Sequence, residues 1–402
     1  MAPGNDGIGA AFECLALRET DPPAVVAAAR RLDASLVVVG PEARMESSKW
    51  FAKEIMREAG VPTAAAEAFA DTGAAEAALA RFGPPWVVKA DGLAAGKGVC
   101  VTPSRAEASA FLHACLEGDR FGDGGRRVVL EQHLVGAEAS VIAVCDGERH
   151  LLLPAARDYK RALDGDRGAN TGGMGGYAPS PVVTPELEAE LSARVFTPVL
   201  RALAARGTVY RGALYAGLML TESGPRVIEF NARFGDPEAQ SVLPLLDGSL
   251  GALLASAAGG RLESAAIARA PRAAVTLALV DEGYPEAVRG GGELSGLAAL
   301  SAGAAGGEGE PGALHVFHAG TRLERGAWVV RGGRAAYLTG VGNTLAAARA
   351  RVYAARARLS GSGWRSRDDI AAQTVASLAA SAAGGVDAPG ADRARKARTG
   401  GA

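Results

Sequence analysis

The chain has 402 residues, 48% hydrophobic and 22% charged. This excludes a disordered protein, supports a sizeable core and implies several domains. Forty-three basic residues balance forty-four acidic ones for a net charge of −1, so no electrostatic footprint for nucleic acid or an anionic membrane is expected.

Residues 22–34 read as a short amphipathic helix, and 35–39 (SLVVV) as a buried strand ending at Gly40-Pro41. A second helix spans 48–59, with Ser48 as N-cap and Gly60 as its C′ residue. A denser α/β pattern follows. Strands are expected at 86–89, 99–101, 128–132, 139–145 and 151–153, with a helix over 105–116 and a long one over 185–206. Strands 214–220 and 226–230 are joined by Glu222-Ser223-Gly224-Pro225, a hairpin-type link, and a helix over 249–258 closes the block. From Ala273 a small α+β unit is expected: strands 273–280, 314–318, 328–330 and 335–338, then a helix over 344–359 capped by Asn343. Within it, 302–312 reads as a mobile Gly/Glu loop. After Ala371 come a short helix and a Gly/Ala/Asp/Arg tail expected to be disordered.

Cys14, Cys100, Cys115 and Cys145 share no CxxC spacing and read as buried reduced thiols. His315 and His318, three apart in a strand-like run, point to opposite faces and do not form a zinc pair. No apolar run reaches the roughly eighteen residues of a membrane span. Residues 1–6 lack the pattern of a signal peptide, so a cytoplasmic protein is expected.

Four stretches carry chemistry. In WVVKADGLAAGKGV (86–99) a strand delivers Lys89 into a loop containing Gly92, Gly96, Lys97 and Gly98. Glycines let backbone N–H groups approach phosphate oxygens, and lysines supply compensating charge. The spacing is one residue short of a Walker A loop, and Gly98 stands where its Ser/Thr would be. In VVLEQHLVGAEAS (128–140), Glu131 and Glu138 lie near strand ends. Such carboxylates are ordinarily solvated; beside a phosphate loop they can accept hydrogen bonds from a nucleotide's amino and ribose hydroxyl groups.

In RVIEFNARFGDPEAQ (226–240), Glu229 and Asn231 share one face of a strand. Both offer hard oxygen ligands suited to Mg²⁺ held jointly with phosphates. Arg233, two residues on, reaches the same face if the strand persists and would stabilise a transferring phosphoryl group. Asp236 and Glu238 follow on a Gly-Asp-Pro turn. Residues 157–181 form a Gly-rich stretch without hydrophobic periodicity, either a plain loop or one whose 170–175 amides wrap an anionic substrate.

A lysine strand, a glycine-rich lid loop, an acidic pair and Glu-x-Asn-x-Arg together resemble the ATP-grasp superfamily. GPEA (40–43), KADGLAAGKGV (89–99), NTGGMG (170–175), YAGLM (215–219), EFNARFGDPE (229–238) and VFHAGT (316–321) are similar to the phosphoribosylamine–glycine ligases of purine biosynthesis. The resemblance runs from Ala2 to about Ile370. It implies an α/β and α+β multidomain fold: an ATP-grasp core over 48–270 with its lid at about 62–132, a C-terminal α+β domain over 271–370, and a truncated N-terminal α/β domain over 1–47. It also implies the reaction. ATP phosphorylates the glycine carboxylate, and the amine of 5-phosphoribosylamine attacks the glycyl phosphate, giving glycinamide ribonucleotide, ADP and phosphate.

By this resemblance Lys89, Gly92, Gly96, Lys97 and Gly98 hold ATP phosphates, and Glu131 with Glu138 frames the adenosine. Glu229 and Asn231 hold Mg²⁺ or Mn²⁺, and Arg233 with Lys97 stabilises the transferring phosphoryl group. Glu42, Asp158, Lys160, Asn170, Thr171, Gly172, Gly173, Asp236 and Glu238 line the substrate side. Small-molecule substrates are expected, and a monomer is allowed. Two departures bear on the amine substrate. The family pattern places a strand, a Gly-Gly-Arg-Glu-His-type loop and a helix ahead of Ala-Pro-Gly-Asn, whereas here Ala2-Pro3-Gly4-Asn5 follows Met1. A helix and strand are also missing between Ala43 and the Ser-Lys helix. An intact ATP-grasp core with a compromised amine-substrate site is therefore expected. The alternatives are another ATP-grasp carboxylate–amine ligase, against which NTGGMG and GDPE argue, or a non-catalytic or impaired paralogue that binds nucleotide.

Overall fold

A computed structural model describes residues 5–17, 21–38, 44–92, 98–118, 121–303 and 312–384. Three antiparallel sheets organise the chain. In the lid sheet the strands run Ala66–Phe69, Val128–Glu131, Trp86–Ala90 and Val99–Thr102 in spatial order. Helices Thr72–Phe82 and Arg105–Leu116 supply its core through Ala75, Ala78, Leu79, Ala108, Leu112 and Cys115. Ser104 caps the second of these by accepting from the Glu107 N–H at 3.3 Å.

The central sheet orders Gly224–Asn231, Arg211–Thr221, Ala137–Asp146 and His150–Leu152. Its edge strand contains a bulge: Gly217 pairs with Glu229 but Leu218 pairs with Val227, leaving Ile228 unopposed. The extra residue flips the alternation. Val227 and Phe230, three apart, therefore both enter the core under this sheet. Glu229 and Asn231 are left on the face opposite Phe230.

Helix Lys49–Glu58 and the long helix behind it complete that core. Ser48 caps the first, accepting from the Phe51 N–H at 3.1 Å, and Gly60 ends it at φ +65°. The long helix runs unbroken from Pro185 to Ala205, with a wide π turn over Ser192–Phe196 directly before Pro198. Pro198 lacks an N–H, and widening the turn accommodates the missing bond.

The third sheet orders Leu314–His318, Arg334–Gly342, Ala273–Asp281, Gly175–Ala178 and Arg157–Asp158, with Trp364–Arg365 also on Ala273–Asp281. It draws strands from both sides of residue 271. Helix Leu345–Arg356 packs on it. Helix Ala372–Gly384 follows, and the Tyr177 hydroxyl meets Thr374 Oγ1 at 2.9 Å.

Several expectations are corrected. Residues 35–38 form no strand, and Val37 and Val38 are exposed. An extended segment needs a ladder partner for its N–H and C=O groups, and the described residues offer it none. Among its described residues through 38 the N-terminal stretch accordingly contains helices Asp6–Gly9 and Pro22–Arg31 but no strand, and none of them is buried. It is tied instead to the C-terminal unit: Asn5 Nδ2 donates to the Ala319 carbonyl at 2.7 Å, and the Leu323 N–H donates to Asp6 Oδ2 at 3.0 Å.

Residues 157–178 are four short strands rather than a plain loop. The cap of helix Leu345–Arg356 is Thr344, accepting from the Ala347 N–H at 3.1 Å, not Asn343. Residues 302 and 303 end helix Leu297–Gly303, whereas 304–311 and the tail from 385 lie outside the described residues. Cys115 and Cys145 are buried, but Cys14 and Cys100 are only half-buried. Cys100 sits on the lid's edge strand, and Cys14 sits in the coreless N-terminal stretch. Among the described residues no helix is long and apolar enough to cross a membrane.

Candidate active site

The lid sheet, the central sheet and the third sheet all contribute to one cavity of about 620 Å³. Helix Lys49–Glu58 brings Lys49 and Lys53 to it, and the lid sheet brings Lys89 and Glu131. The Lys53 ammonium lies 3.1 Å from Glu131 Oε2, and the Lys89 ammonium 3.0 Å from Glu131 Oε1. All three side chains are buried. Lys53 also donates to Thr63 Oγ1 at 2.7 Å. Burial brings the Lys53 pKa down to about 8 against the attraction of Glu131, with Lys89 adding to the fall. Burial likewise lowers that of Lys49, opposed by Glu229. Lys49 Nζ donates to the Gly92 carbonyl at 2.9 Å. The Asp91 carboxylate accepts from the Trp50 N–H at 2.6 Å and from Arg127 Nε at 2.8 Å. The start of the glycine loop is thereby fixed to a helix N-terminus, where a carboxylate is favoured.

Glu229, Asn231 and Arg233 line the cavity together. The strand stops at Asn231, and a bend carries Arg233 on. Arg233 Nε donates to Glu46 Oε1 at 3.0 Å, and the Ala232 N–H donates to Glu46 Oε2 at 3.2 Å. Burial would raise the Glu229 carboxyl, but Lys160, Lys89, Lys49 and Arg233 outweigh it and hold the group below its usual range. Opposite Glu229 stands Gly217, where an added Cβ would come within 3.3 Å of Glu229 Cγ. An ionised carboxylate and an amide oxygen form a donor set that fits a hard divalent cation shared with phosphate oxygens.

The substrate-side residues form a second cluster. Lys160 Nζ lies 3.3 Å from Glu138 Oε2 and 3.9 Å from Asp158 Oδ2. Burial pushes the Asp158 carboxyl up to about 7 against the pull of Lys160, with Glu238 and Glu138 adding to the rise. Asp158 in turn holds Lys160 well above its ordinary value. Ser140 Oγ sits 2.9 Å from the Tyr215 hydroxyl and donates to Glu238 Oε1 at 3.0 Å. Thr171 Oγ1 donates to the Lys160 carbonyl at 2.8 Å.

Of the expected site residues, Lys89, Gly98, Glu131, Asp158, Lys160, Thr171, Gly172, Glu229, Asn231, Arg233, Asp236 and Glu238 line this cavity. Glu42, Gly96 and Lys97 lie outside the described residues. Four others do not line it. Gly92 abuts the backbone of Gly124, with an added Cβ 2.3 Å from Gly124 Cα, so its missing side chain serves that close approach. Gly173, at φ +117°, packs the same way against Pro237. Asn170 pairs with Arg161 in a hairpin, and Glu138 reaches the site only through Lys160. The Glu131 carboxylate faces two lysines rather than standing open for adenosine. Sequence reasoning missed Lys49, Lys53, Glu46, Tyr284 and Arg334, all of which line the cavity. Lys53 had a visible signal: it falls among Ala52, Ile55 and Met56 on the apolar side of its helix.

Comparison with known proteins bears on this geometry. Residues 47–239 match the family model for the phosphoribosylglycinamide synthetase ATP-grasp (A) domain, and 274–373 match that for the C domain. A phosphoribosylamine–glycine ligase of Caulobacter vibrioides is 43% identical over 396 residues, covering 92% of this chain and 90% of its own. The crystal structure of phosphoribosylamine–glycine ligase from Thermotoga maritima superposes with a TM-score of 0.76 at 32% identity, covering 92% of both chains. A biotin carboxylase domain of 2-oxoglutarate carboxylase from Hydrogenobacter thermophilus, solved with MgADP and bicarbonate, shares the fold alone. Its TM-score is 0.62 at 19% identity, covering 84% of this chain and 72% of that one.

Proposed function

We propose the residue roles by which this chain, which belongs to the phosphoribosylamine–glycine ligase family, joins glycine to 5-phosphoribosylamine. The reaction proceeds in two steps. A glycine carboxylate oxygen attacks the γ-phosphorus of ATP, releasing ADP and giving glycyl phosphate. The amine then attacks the acyl carbon, a proton leaves the nitrogen, and phosphate departs as glycinamide ribonucleotide forms.

In this reading Lys49 and Lys89 bind ATP phosphates, and the buried Lys53–Glu131 pair holds Lys89 in place. Glu229 and Asn231 hold the divalent cation, Mg²⁺ or Mn²⁺, which when bound neutralises phosphate charge. Arg233, aimed by Glu46, stabilises charge on the phosphoryl group in transfer. Asp158, Lys160, Thr171 and Glu238 form the wall for glycine and the amine. The Asp158 carboxyl, held near neutrality, takes up the proton the amine loses. Small-molecule substrates and a cytoplasmic setting belong to the same reading.

The observation that carries it is Glu229 with Asn231 beside four cations in one cavity. That arrangement suits a metal–triphosphate group. The test is phosphate release from MgATP with glycine, with and without fresh phosphoribosylamine. Release that requires both substrates, with glycinamide ribonucleotide as product, supports the reading. One observation favours a second reading: residues 5–38 contribute no buried residue among those described. ATP binding without release under either condition would identify a nucleotide-binding but impaired member.

A further inference from the structure

The part of the cavity wall supplied by Tyr284 and Arg334 is left unused by the chemistry above. Tyr284 follows strand Ala273–Asp281, and Arg334 opens strand Arg334–Gly342. The Gly172 N–H donates to the Tyr284 hydroxyl at 2.9 Å, and the Gly172 carbonyl accepts from Arg334 Nη1 at 2.6 Å. Both backbone groups of one residue are therefore held from the C-terminal unit. Arg334 Nη1 also donates to the Asp236 carbonyl at 3.0 Å, and Nη2 donates to Asp236 Oδ2 at 3.0 Å. The other Asp236 oxygen accepts from Gln240 Nε2 at 3.0 Å. A single guanidinium thus ties the turn at 170–173 to the turn at 235–238.

The join leaves no room for side chains. An added Cβ on Gly172 would stand 2.9 Å from Arg334 Nη2, and one on Gly173 would stand 2.4 Å from Pro237 Cδ. Each turn leads directly into the substrate-side cluster. Thr171 holds the Lys160 carbonyl, and Glu238 accepts from Ser140. The nucleotide-side groups Lys49, Lys53, Lys89 and Glu131 sit on other elements, and none of their described hydrogen bonds involves Arg334.

We propose that Arg334, supported by Tyr284, is a positioning residue for the non-nucleotide substrates. It locks the two turns that shape the Asp158–Lys160–Glu238 wall, and so sets the KM for glycine or phosphoribosylamine without altering the grip on ATP. Three guanidinium hydrogens are spent on protein acceptors, so Arg334 acts through the turns. Lysine cannot replace it, because a point ammonium cannot span acceptors on Gly172 and Asp236 as a planar fork does. The inference rests on reading this cavity as the ligation site.

The test is steady-state kinetics of the full chain carrying Arg334→Lys, Arg334→Gln or Tyr284→Phe, varying each substrate in turn, with a thermal melt of each. Both Arg334 variants are expected to raise KM for glycine or phosphoribosylamine about tenfold or more, as loss of charge-assisted bonds implies. Tyr284→Phe, which removes one neutral acceptor, is expected to raise the same KM about threefold. KM for ATP stays within about twofold in all three, since none of the described hydrogen bonds and ion pairs of Lys49, Lys53, Lys89 and Glu131 involves Arg334 or Tyr284. Wild-type KM values throughout, a parallel rise in KM for ATP, or full rescue by lysine would each overturn the proposal. If the Arg334 variants do not fold, Tyr284→Phe decides alone. Glu229→Ala is the control on the underlying reading. Turnover surviving in that variant would refute the site itself, whereas its loss beside an unchanged Arg334 series would refute only the clamp.

Discussion

Glu131→Gln removes one charge and almost no volume from a fully buried ion cluster. At an effective dielectric constant of about 20, each lysine at 3.0 to 3.1 Å attracts the carboxylate by about 5 kcal/mol. Against this stands the cost of burying the ammonium groups. Even with Glu131 present, the Lys53 pKa falls from 10.5 to about 8. That shift corresponds to roughly 3 kcal/mol of unmet desolvation. Without the carboxylate, two buried ammonium groups face each other, and breaking such a pair costs about 3–5 kcal/mol. At about 2–4 °C per kcal/mol, the transition of this core should fall by about 6–20 °C.

The pH dependence has a definite sign. The folded pKa of Lys53 lies below its unfolded value, so between about 8 and 10.5 the unfolded chain binds more protons. Stability from this group therefore rises with pH across that window, and below it the full cost is present. In Glu131→Gln the Lys53 value falls below 8, so the deficit relative to wild type shrinks as pH rises toward about 8 and stays constant above it. Calorimetric melts near pH 7 and pH 9.5 measure both effects. A variant melting within about 2 °C of wild type at both pH values would refute the reasoning, because that corresponds to at most about 1 kcal/mol.

Glu229→Ala should lower MgATP-dependent turnover by about a thousandfold or more, the several kcal/mol that metal-held phosphate neutralisation supplies; retention of about a tenth of the wild-type rate in a coupled ADP assay would refute the role. Asp146 is buried, yet three backbone N–H groups, from Leu262, Arg149 and Glu148, overcome that burial and hold its pKa at about 2. This stability is present above the unfolded value near 4 and is lost as pH falls through 2, so Asp146→Asn should cost about 2 kcal/mol in urea unfolding at pH 7 and progressively less toward pH 2. The Arg367 side chain is buried and donates to Asp166 Oδ1 at 2.9 Å and Asp369 Oδ2 at 2.6 Å. Arg367→Ala should destabilise the third sheet by about 3 kcal/mol, the low end for a broken buried pair because its aspartates are partly exposed; unchanged denaturant unfolding would refute that.

The strand carrying Glu229 and Asn231 was legible because it breaks a local rule. A run such as VIEFNARF puts Glu and Asn at alternate positions among residues fit for burial, an arrangement that needs charged partners such as Lys160, Lys89, Lys49 and Arg233 to be stable. What alternation could not reveal was the bulge at Ile228, a property of the pairing with Gly217 and Leu218 rather than of either strand alone. Lys53 was legible in principle, since an amphipathic helix does not place lysine beside Ile55 and Met56 without a buried partner. Its partner Glu131 lies 78 positions away on the lid sheet, beyond any periodicity. Arg334 was not legible at all. Its meaning depends on Gly172, 162 residues earlier, and on Asp236, 98 earlier, which become neighbours only when strand Gly175–Ala178 pairs with Ala273–Asp281. Residues 35–38 make the converse case. The apolar run SLVVV has strand propensity, but propensity alone supplies no ladder partner, and Val37 and Val38 stay in solvent. Local chemistry therefore announces itself in this chain wherever charge sits among apolar residues, whereas the residues that hold that chemistry in register are fixed by long-range pairing and emerge only with the fold.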